Sequence, residues 1–264
     1  MRSVASINTM TMLDASSHSD SGDKRPLNED RVLIKKYAIS SEEWGMFLVA
    51  DGLGSVRSNV ASQIIVDGLS YWWDNDLATI LSFPFEPELV FTCLDETIAK
   101  INSKIFAMAQ KLGSTLSLLL TMGDKYVIRH VGDSRIYLLN RKNGIRQLTN
   151  DHSYVAKQIA EGLLSVAEAK VHPKRNVITR CIGMKSTVSL FSCDGIINND
   201  DMFLLCTDGF YNLISEDTIL NTVFNSELNL SEKVQNLRKC IRTAHDNVSL
   251  ILMSKCSADE GGMN

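Results

Sequence analysis

Four aspartates stand in a shared local context: Asp51 in LVADGLG, Asp133 in HVGDSR, Asp208 in LLCTDGF and Asp246 in HDNVSLI. Each lies at the end of an apolar run or beside one, next to a small or turn-forming residue. Asp30, in LNEDR, is a fifth candidate. A strand end is rigid, and a glycine beside an aspartate lets backbone and ions approach closely. One Asp-Gly pair alone reads as a turn; five such placements in one acidic chain suggest a shared task. Carboxylates gathered at one place repel each other and stay ionised only if cations neutralise them. An all-oxygen ligand set selects hard ions such as Mg²⁺ and Mn²⁺. A binuclear site of that kind suits phosphoryl hydrolysis, because it holds a phosphoryl oxygen and activates water.

The elements that must carry these aspartates follow from the apolar pattern. Residues 44–50, WGMFLVA, predict a buried strand ending at Asp51-Gly52. Val60, Ile64, Ile65, Leu69 and Trp72 recur at helical spacing and predict a helix from Asn59 to about Trp73. FPFEP at 83–87 reads as a loop before a longer helix, Glu88 to Leu112. Strands are expected over 115–122, 126–131 and 135–140, with Gly123-Asp124 as the hairpin turn between the first two. Residues 154–161 and 166–169 read as helical and 202–206 as a buried strand. Helices at 215–224 and 231–243, opened by Ser215 and Ser231, precede a final strand at 248–253. The order is not an alternation of strand and helix, so it indicates an α+β fold with antiparallel sheet. No linker interrupts it, and a single domain over 1–264 is expected.

Composition removes other classes. The 264 residues are 44% apolar, which is too many for a disordered chain. With 27 basic and 31 acidic residues the net charge is −4, without the basic stripe of a nucleic-acid binder. Cys93, Cys181, Cys193, Cys206, Cys240 and Cys256 form no C-x-x-C pair, so they read as buried free thiols of a reducing compartment. Neither a secretory h-region nor an apolar run of about 18 residues is seen, so a soluble, cytoplasmic protein without a membrane partner is expected.

GDKRPLNED from Gly22, ADGLGS, GSTLSLLL, VGDSRIYLL, LTNDHSYV, HPKRNVITRCIG, LLCTDGFYNLIS and DNVSLIL follow one another along the chain. In kind and order these motifs resemble the bacterial metal-dependent serine/threonine phosphatases of the protein phosphatase 2C family, over roughly residues 15 to 254. The resemblance implies a four-layer α-β-β-α sandwich, with two central antiparallel sheets flanked by helices and metals at one end. It implies two Mn²⁺ or Mg²⁺ ions and a third, weaker one. Asp51 would bridge the central pair, and the Gly52 carbonyl would bind one of them. Asp208 and Asp246 would complete the second metal, and Asp133 would hold the third with Asp208. Glu29 and Asp30 would reach the metals mainly through water, and Arg25 would bind the substrate phosphate. A guanidinium fork suits that role because it matches two phosphate oxygens.

The implied reaction is hydrolysis of phosphoserine and phosphothreonine in proteins by metal-activated water, without a covalent intermediate, in signalling. The implied partners are phosphorylated proteins and a cognate serine/threonine kinase acting on them. Residues 151–183 would form a flap beside the site, where Lys174 and Arg175 could meet acidic surroundings of a phosphosite. The alternative is a catalytically weak or silent relative that binds phosphoprotein; such relatives usually lack metal carboxylates, and Asp51, Asp208 and Asp246 are all present. Other phosphatase chemistries fit less well: Cys181 in TRCIGMKS lacks the following arginine of an anion-cradling loop, and Asp74-Asn75-Asp76 is followed by Leu77-Ala78 rather than a D-x-D-x-[TV] frame. The chain departs from the family in DGLGSVRSNVAS, where Ser55 and Val56 replace a glycine and a histidine. Leu53 stands where eukaryotic relatives carry a proposed acid histidine.

Overall fold

The computed structural model describes residues 11–39, 42–54, 59–82, 86–108 and 112–257. In chain order its elements begin with β1 (Thr11–Asp20), β2 (Arg31–Ile39), β3 (Glu42–Ala50), β4 (Gly52–Leu53) and α1 (Asn59–Tyr71). A π-helical turn (Trp72–Leu77) leads to α2 (Ala78–Ile80) and α3 (Pro87–Ala107). Next come β5 (Gly113–Ser114), β6 (Leu116–Met122), β7 (Lys125–Val131), β8 (Arg135–Asn140) and β9 (Gly144–Gln147). Then follow α4 (Tyr154–Ala160), α5 (Val166–Val171), β10 (Phe191–Ile196) and β11 (Asp201–Cys206). The last elements are α6 (Asp208–Tyr211), α7 (Glu216–Val223), α8 (Leu230–Cys240) and β12 (Val248–Ser257).

Two five-stranded antiparallel sheets, ordered β1-β12-β11-β8-β9 and β10-β7-β6-β3-β2, lie face to face. The central strands read as unbroken apolar runs because both faces are buried. Along β3, Met46 and Leu48 pack with Ile65 and Leu69 of α1 and Leu94 and Ile98 of α3. Phe47 and Val49 point the other way and meet Phe203, Leu205, Ile251 and Met253 between the sheets. The alternate residues of β11 and β12, Leu204, Cys206, Leu250 and Leu252, pack under Ile219, Val234 and Leu237 of α7 and α8. The result is the expected four-layer α-β-β-α sandwich with three apolar seams.

The boundaries differ from the pattern reading in informative ways. The first helix does not end near Trp73: the π turn carries it on, and the wider turn lets Trp72, Trp73 and Leu77 all be buried. Pro87 is the first residue of α3 rather than the end of a loop, as suits a residue with no amide hydrogen to leave unpaired. That helix ends at Ala107, capped at Met108, short of the expected Leu112. Asn229, not Ser231, caps α8, through a reciprocal pair with Glu232. Ser215 caps α7 as expected. Residues 55–58, which hold the altered Ser55-Val56 loop, and residues 83–85 lie outside the described residues. The buried-thiol expectation holds for Cys181 and Cys206, but Cys240 is exposed and Cys93 and Cys193 are half-buried. The side chain of Cys256 lies outside the description.

Register brings the functional strand ends together. Arg31 pairs with Ala50, Cys206 with both Arg135 and Leu250, Leu116 with Val131, and Asp20 with Val248. One end of the sandwich therefore collects the segments around residues 20–30, 51, 133, 208 and 246. Two glycines make the closest approach there possible. Gly22 has φ +65°, and a Cβ on it would lie 2.1 Å from the Asp246 carbonyl oxygen. A Cβ on Gly209 would lie 2.0 Å from the Asn247 carbonyl oxygen.

Gly209→Ala should therefore destabilise the fold by about 1–3 kcal/mol or more through overlap with backbone that cannot yield. Gly162, with φ +71° and nothing within 4 Å of an added Cβ, is the control. There alanine should cost only the roughly 1–2 kcal/mol of a left-handed conformation. Denaturant midpoints of the two variants check this, and a Gly209→Ala midpoint equal to wild type would contradict the packing.

Candidate metal centre

Each of the five aspartates leaves a different strand end. Asp51 follows β3; its amide donates to Thr115 Oγ1 at 2.9 Å, and the Thr115 amide donates to the Asp51 carbonyl at 2.9 Å. Asp208 opens α6 directly after β11. Asp133 sits in the turn between β7 and β8, where Tyr211 Oη donates to its carbonyl at 3.0 Å. Asp246 precedes β12 and holds the Asn247 amide through Oδ1 at 2.9 Å. Asp30 precedes β2, is 1% exposed, and accepts from Thr207 Oγ1 at 2.8 Å.

Their electrostatics show that they share one region. Burial, then the fields of Asp30, Asp208, Asp133 and Asp246, push Asp51 well above the usual carboxylate range. Burial raises Asp30 to about 7; the Ser249 and Thr207 hydroxyls oppose this, and Asp208 and Asp246 add to it. Asp133 is raised to about 7 by burial and then by Asp208. Asp208 is raised to about 6 by burial and then by Asp246. Mutual repulsion of this kind is what a divalent cation relieves. Among the described residues, no three His, Cys, Asp or Glu side chains close to ion-holding distances as they stand. Arg25 Nη2 donates to Asp246 Oδ2 at 2.9 Å. The donor set nevertheless fits a hard cation. It is all oxygen, and Asp30 Oδ1 and Asp133 Oδ1 are buried with no hydrogen-bond partner.

The remaining predicted residues take clear places. Gly52 is buried in β4, opposite Ser114 of β5. Glu29 lies between Asn28 and Asp30, its amide donating to Asn247 Oδ1 at 2.9 Å and its carbonyl accepting from Ser62 Oγ at 2.6 Å. Arg25 is brought to the cluster, but its partner here is a carboxylate, and its side chain remains 47% exposed. Lys174 lies over the Tyr154 ring at 5.0 Å, and that ring stacks on His172 at 5.5 Å. Residues 151–183 thus hold their own basic turn together.

Several supporting residues escaped the sequence reading. Arg135 forks onto Asp151 and stacks over Tyr211 at 3.7 Å, bracing the Asp133 turn. Thr115 Oγ1 meets Ser134 Oγ at 2.7 Å, joining the Asp51 and Asp133 turns. His152 Nδ1 accepts from the Gly132 amide at 3.1 Å, and its ring lies 5.0 Å from that of His130. Burial lowers His130 to about 4; burial and then His130 lower His152 to about 3. Both are therefore neutral structural groups. Buried Cys181 is pushed up to about 11, which leaves its thiol protonated and a poor nucleophile. Each of these supporting residues stands inside one of the strings quoted above, Thr115 in GSTLSLLL, Ser134 and Arg135 in VGDSRIYLL, His152 in LTNDHSYV and Tyr211 in LLCTDGFYNLIS, but no string states its partner, because the contacts are long-range.

A model of the protein phosphatase 2C family matches residues 16–245. The serine/threonine phosphatase stp of Listeria monocytogenes is 30% identical over 258 residues, covering 94% of this chain and 98% of the relative. The crystal structure of the serine/threonine phosphatase Stp1 from Staphylococcus aureus superposes with a TM-score of 0.81 at 27% identity, over 92% of this chain and 95% of that one. The catalytic domain of the serine/threonine phosphatase PstP, solved in complex with 2 manganese ions, superposes with a TM-score of 0.74 at 27% identity, over 93% and 99% of the two chains.

The raised carboxylates carry a sign that can be checked. A carboxyl whose folded pKa lies above its unfolded value favours the fold at low pH, and that contribution is lost as pH rises through the folded pKa. Without metal, Asp208→Asn should therefore stabilise the chain above pH 6 by on the order of 1–3 kcal/mol. The same change should weaken Mn²⁺ binding and remove most turnover. Melting in chelator, set beside Mn²⁺ titration, tests both halves; a less stable variant in chelator would contradict the repulsion.

Proposed function

Because the chain belongs to the protein phosphatase 2C family, whose members are metal-dependent serine/threonine protein phosphatases, we propose a specific division of labour at this end of the sandwich. Asp51, the Gly52 carbonyl, Asp208 and Asp246 hold a pair of divalent ions, Mn²⁺ or Mg²⁺. Asp133 with Asp208 holds a third, weaker ion, and Asp30 and Glu29 act mainly through water. When bound, the ions polarise phosphoryl oxygens and activate water for attack on phosphorus. The observation that carries this reading is the convergence of five carboxylates from five strand ends, two of them with buried, unpartnered oxygens.

The chain's own residues do the rest. Rigid strand ends hold the carboxylates against their repulsion, and Thr115, Ser134 and Tyr211 fix the two turns that present Asp51 and Asp133. Arg25 binds the phosphoryl group of the substrate. Its exposed guanidinium leaves Asp246 when that carboxylate is neutralised, and then offers a fork to phosphate oxygens. The substrates are phosphorylated serine and threonine side chains of proteins, and a cognate serine/threonine kinase supplies them. The free, buried thiols of Cys181 and Cys206 suit a reducing, cytoplasmic setting. Among the described residues, no helix is long and apolar enough to cross a membrane. Residues 1–264 act as one catalytic unit, with 151–183 as a flap beside the site.

A phosphothreonine peptide should be hydrolysed with Mn²⁺ and not with chelator. Arg25→Ala should raise KM by about tenfold or more, as loss of a charge-assisted contact of about 1.5–3 kcal/mol requires. Its Mn²⁺ affinity should be unchanged or slightly improved, because Asp246 is released. Loss of metal binding in Arg25→Ala would refute the phosphate role, and a wild-type protein that binds phosphopeptide without Mn²⁺-dependent turnover would favour the silent-binder reading.

A further inference from the structure

Asn247 follows Asp246 just before β12 and is 4% exposed. Its amide directs all of its recorded bonds at one segment. Oδ1 accepts from the Glu29 amide at 2.9 Å. Nδ2 donates to the Ser21 carbonyl at 3.1 Å and to the Leu27 carbonyl at 3.0 Å. These bonds straddle Arg25. Between them, residues 23–27 are exposed and carry no strand or helix. Asp23 ties the first limb alone, donating its amide to the Ala244 carbonyl at 2.8 Å and accepting the Ala244 amide at 2.7 Å. Ser62 ties only the end of the second limb, at the Glu29 carbonyl. Asn247 bonds both limbs at once.

Its chemistry is matched to that task. The segment presents two carbonyls and one amide, so the clasp must donate twice and accept once from a single short side chain. An aspartate could not donate, and an apolar residue would take this partner away from two carbonyls and one amide. The backbone of Asn247 is itself immobilised, because the absent side chain of Gly209 leaves room for its carbonyl. Asn28 also ties the second limb, to Ser19 Oγ of β1 at 2.7 Å and through its carbonyl to Arg31 at 3.0 Å, but only Asn247 ties the segment on both sides of Arg25 to the chain just before β12.

We propose that Asn247 is a positioning residue: it holds the 21–29 segment in register with β12, places Arg25 beside the carboxylates, and so sets affinity for the substrate phosphoryl group. This rests on the phosphatase reading above. Asn247 touches neither substrate nor reacting atoms in this role; it acts through Arg25.

The test uses the full chain with Asn247→Ala and Asn247→Gln, each alone and combined with Arg25→Ala. Gln keeps the amide but is one methylene too long to reach all three partners, and serves if Ala does not fold. With a phosphothreonine peptide and saturating Mn²⁺, Asn247→Ala should raise KM about tenfold and change kcat by less than about threefold, the signature of a displaced binding group. In the Arg25→Ala background it should raise KM no further, because coupled residues are non-additive. Effects that multiply independently, or an unchanged KM in folded variants, would overturn the proposal. Amide hydrogen exchange gives a readout independent of turnover. Peptides covering 21–29 should lose protection in the variants while those of β11 and β12 keep theirs, and equal protection of 21–29 would overturn the proposal. If wild type shows no turnover, or Arg25→Ala leaves KM unchanged, the fault lies with the phosphatase reading or with Arg25. The exchange result then decides on Asn247 alone.

Discussion

Repulsion between buried carboxylates is the constraint on which the rest of this structure depends. Asp30, Asp51, Asp133, Asp208 and Asp246 come from five places in the sequence and meet at one end of the sandwich, where burial and each other's fields hold most of them above their ordinary range. A flexible scaffold would let them drift apart. The sandwich resists this because Asp51, Asp208 and Asp246 adjoin strands whose two faces are locked by different apolar seams, as Met46 and Phe47 show on β3. Packing energy spread over the whole core is thus what holds a locally unfavourable cluster together.

The same constraint shapes the connecting segments. Where strand ends must crowd, side chains have been dispensed with, at Gly22 and Gly209. Where turns must not open, neutral side chains brace them: Thr115 with Ser134, Tyr211 on the Asp133 carbonyl, and His152 on the Gly132 amide. The bracing groups are uncharged or paired, as Arg135 is with Asp151, so they add no further net charge to the cluster. Arg25 is the exception: half-exposed, it pairs with a carboxylate of the cluster itself, Asp246.

How much of this was legible in the sequence followed burial. Strands buried on both faces, such as β3, β6, β11 and β12, announce themselves as apolar runs, and all were expected close to where they lie. Apart from the two-residue strands β4 and β5, the strands that went unread, β1, β2, β9 and β10, are the four edges of the two five-stranded sheets. An edge strand such as TMLDASSHSD or FSCDGI carries polar residues that face solvent, so apolar periodicity does not mark it, while the pairing that makes it a strand is with distant residues. The candidate site divides in the same way. Its aspartates and Arg25 sit in local strings that reveal them. Thr115, Ser134, Tyr211 and Asn247 act through bonds to residues far along the chain, and nothing in their own neighbourhood states the partner.

The central claim, that these carboxylates form a cluster awaiting divalent cations, is tested most directly by the melting temperature of the intact chain as a function of Mn²⁺ concentration, starting from chelator. Native-state binding must stabilise, by about 2.7 kcal/mol at one hundred times the dissociation constant. The account predicts a melting temperature that climbs steadily with the logarithm of Mn²⁺ once the site begins to fill. A melting temperature indifferent to Mn²⁺ would contradict it.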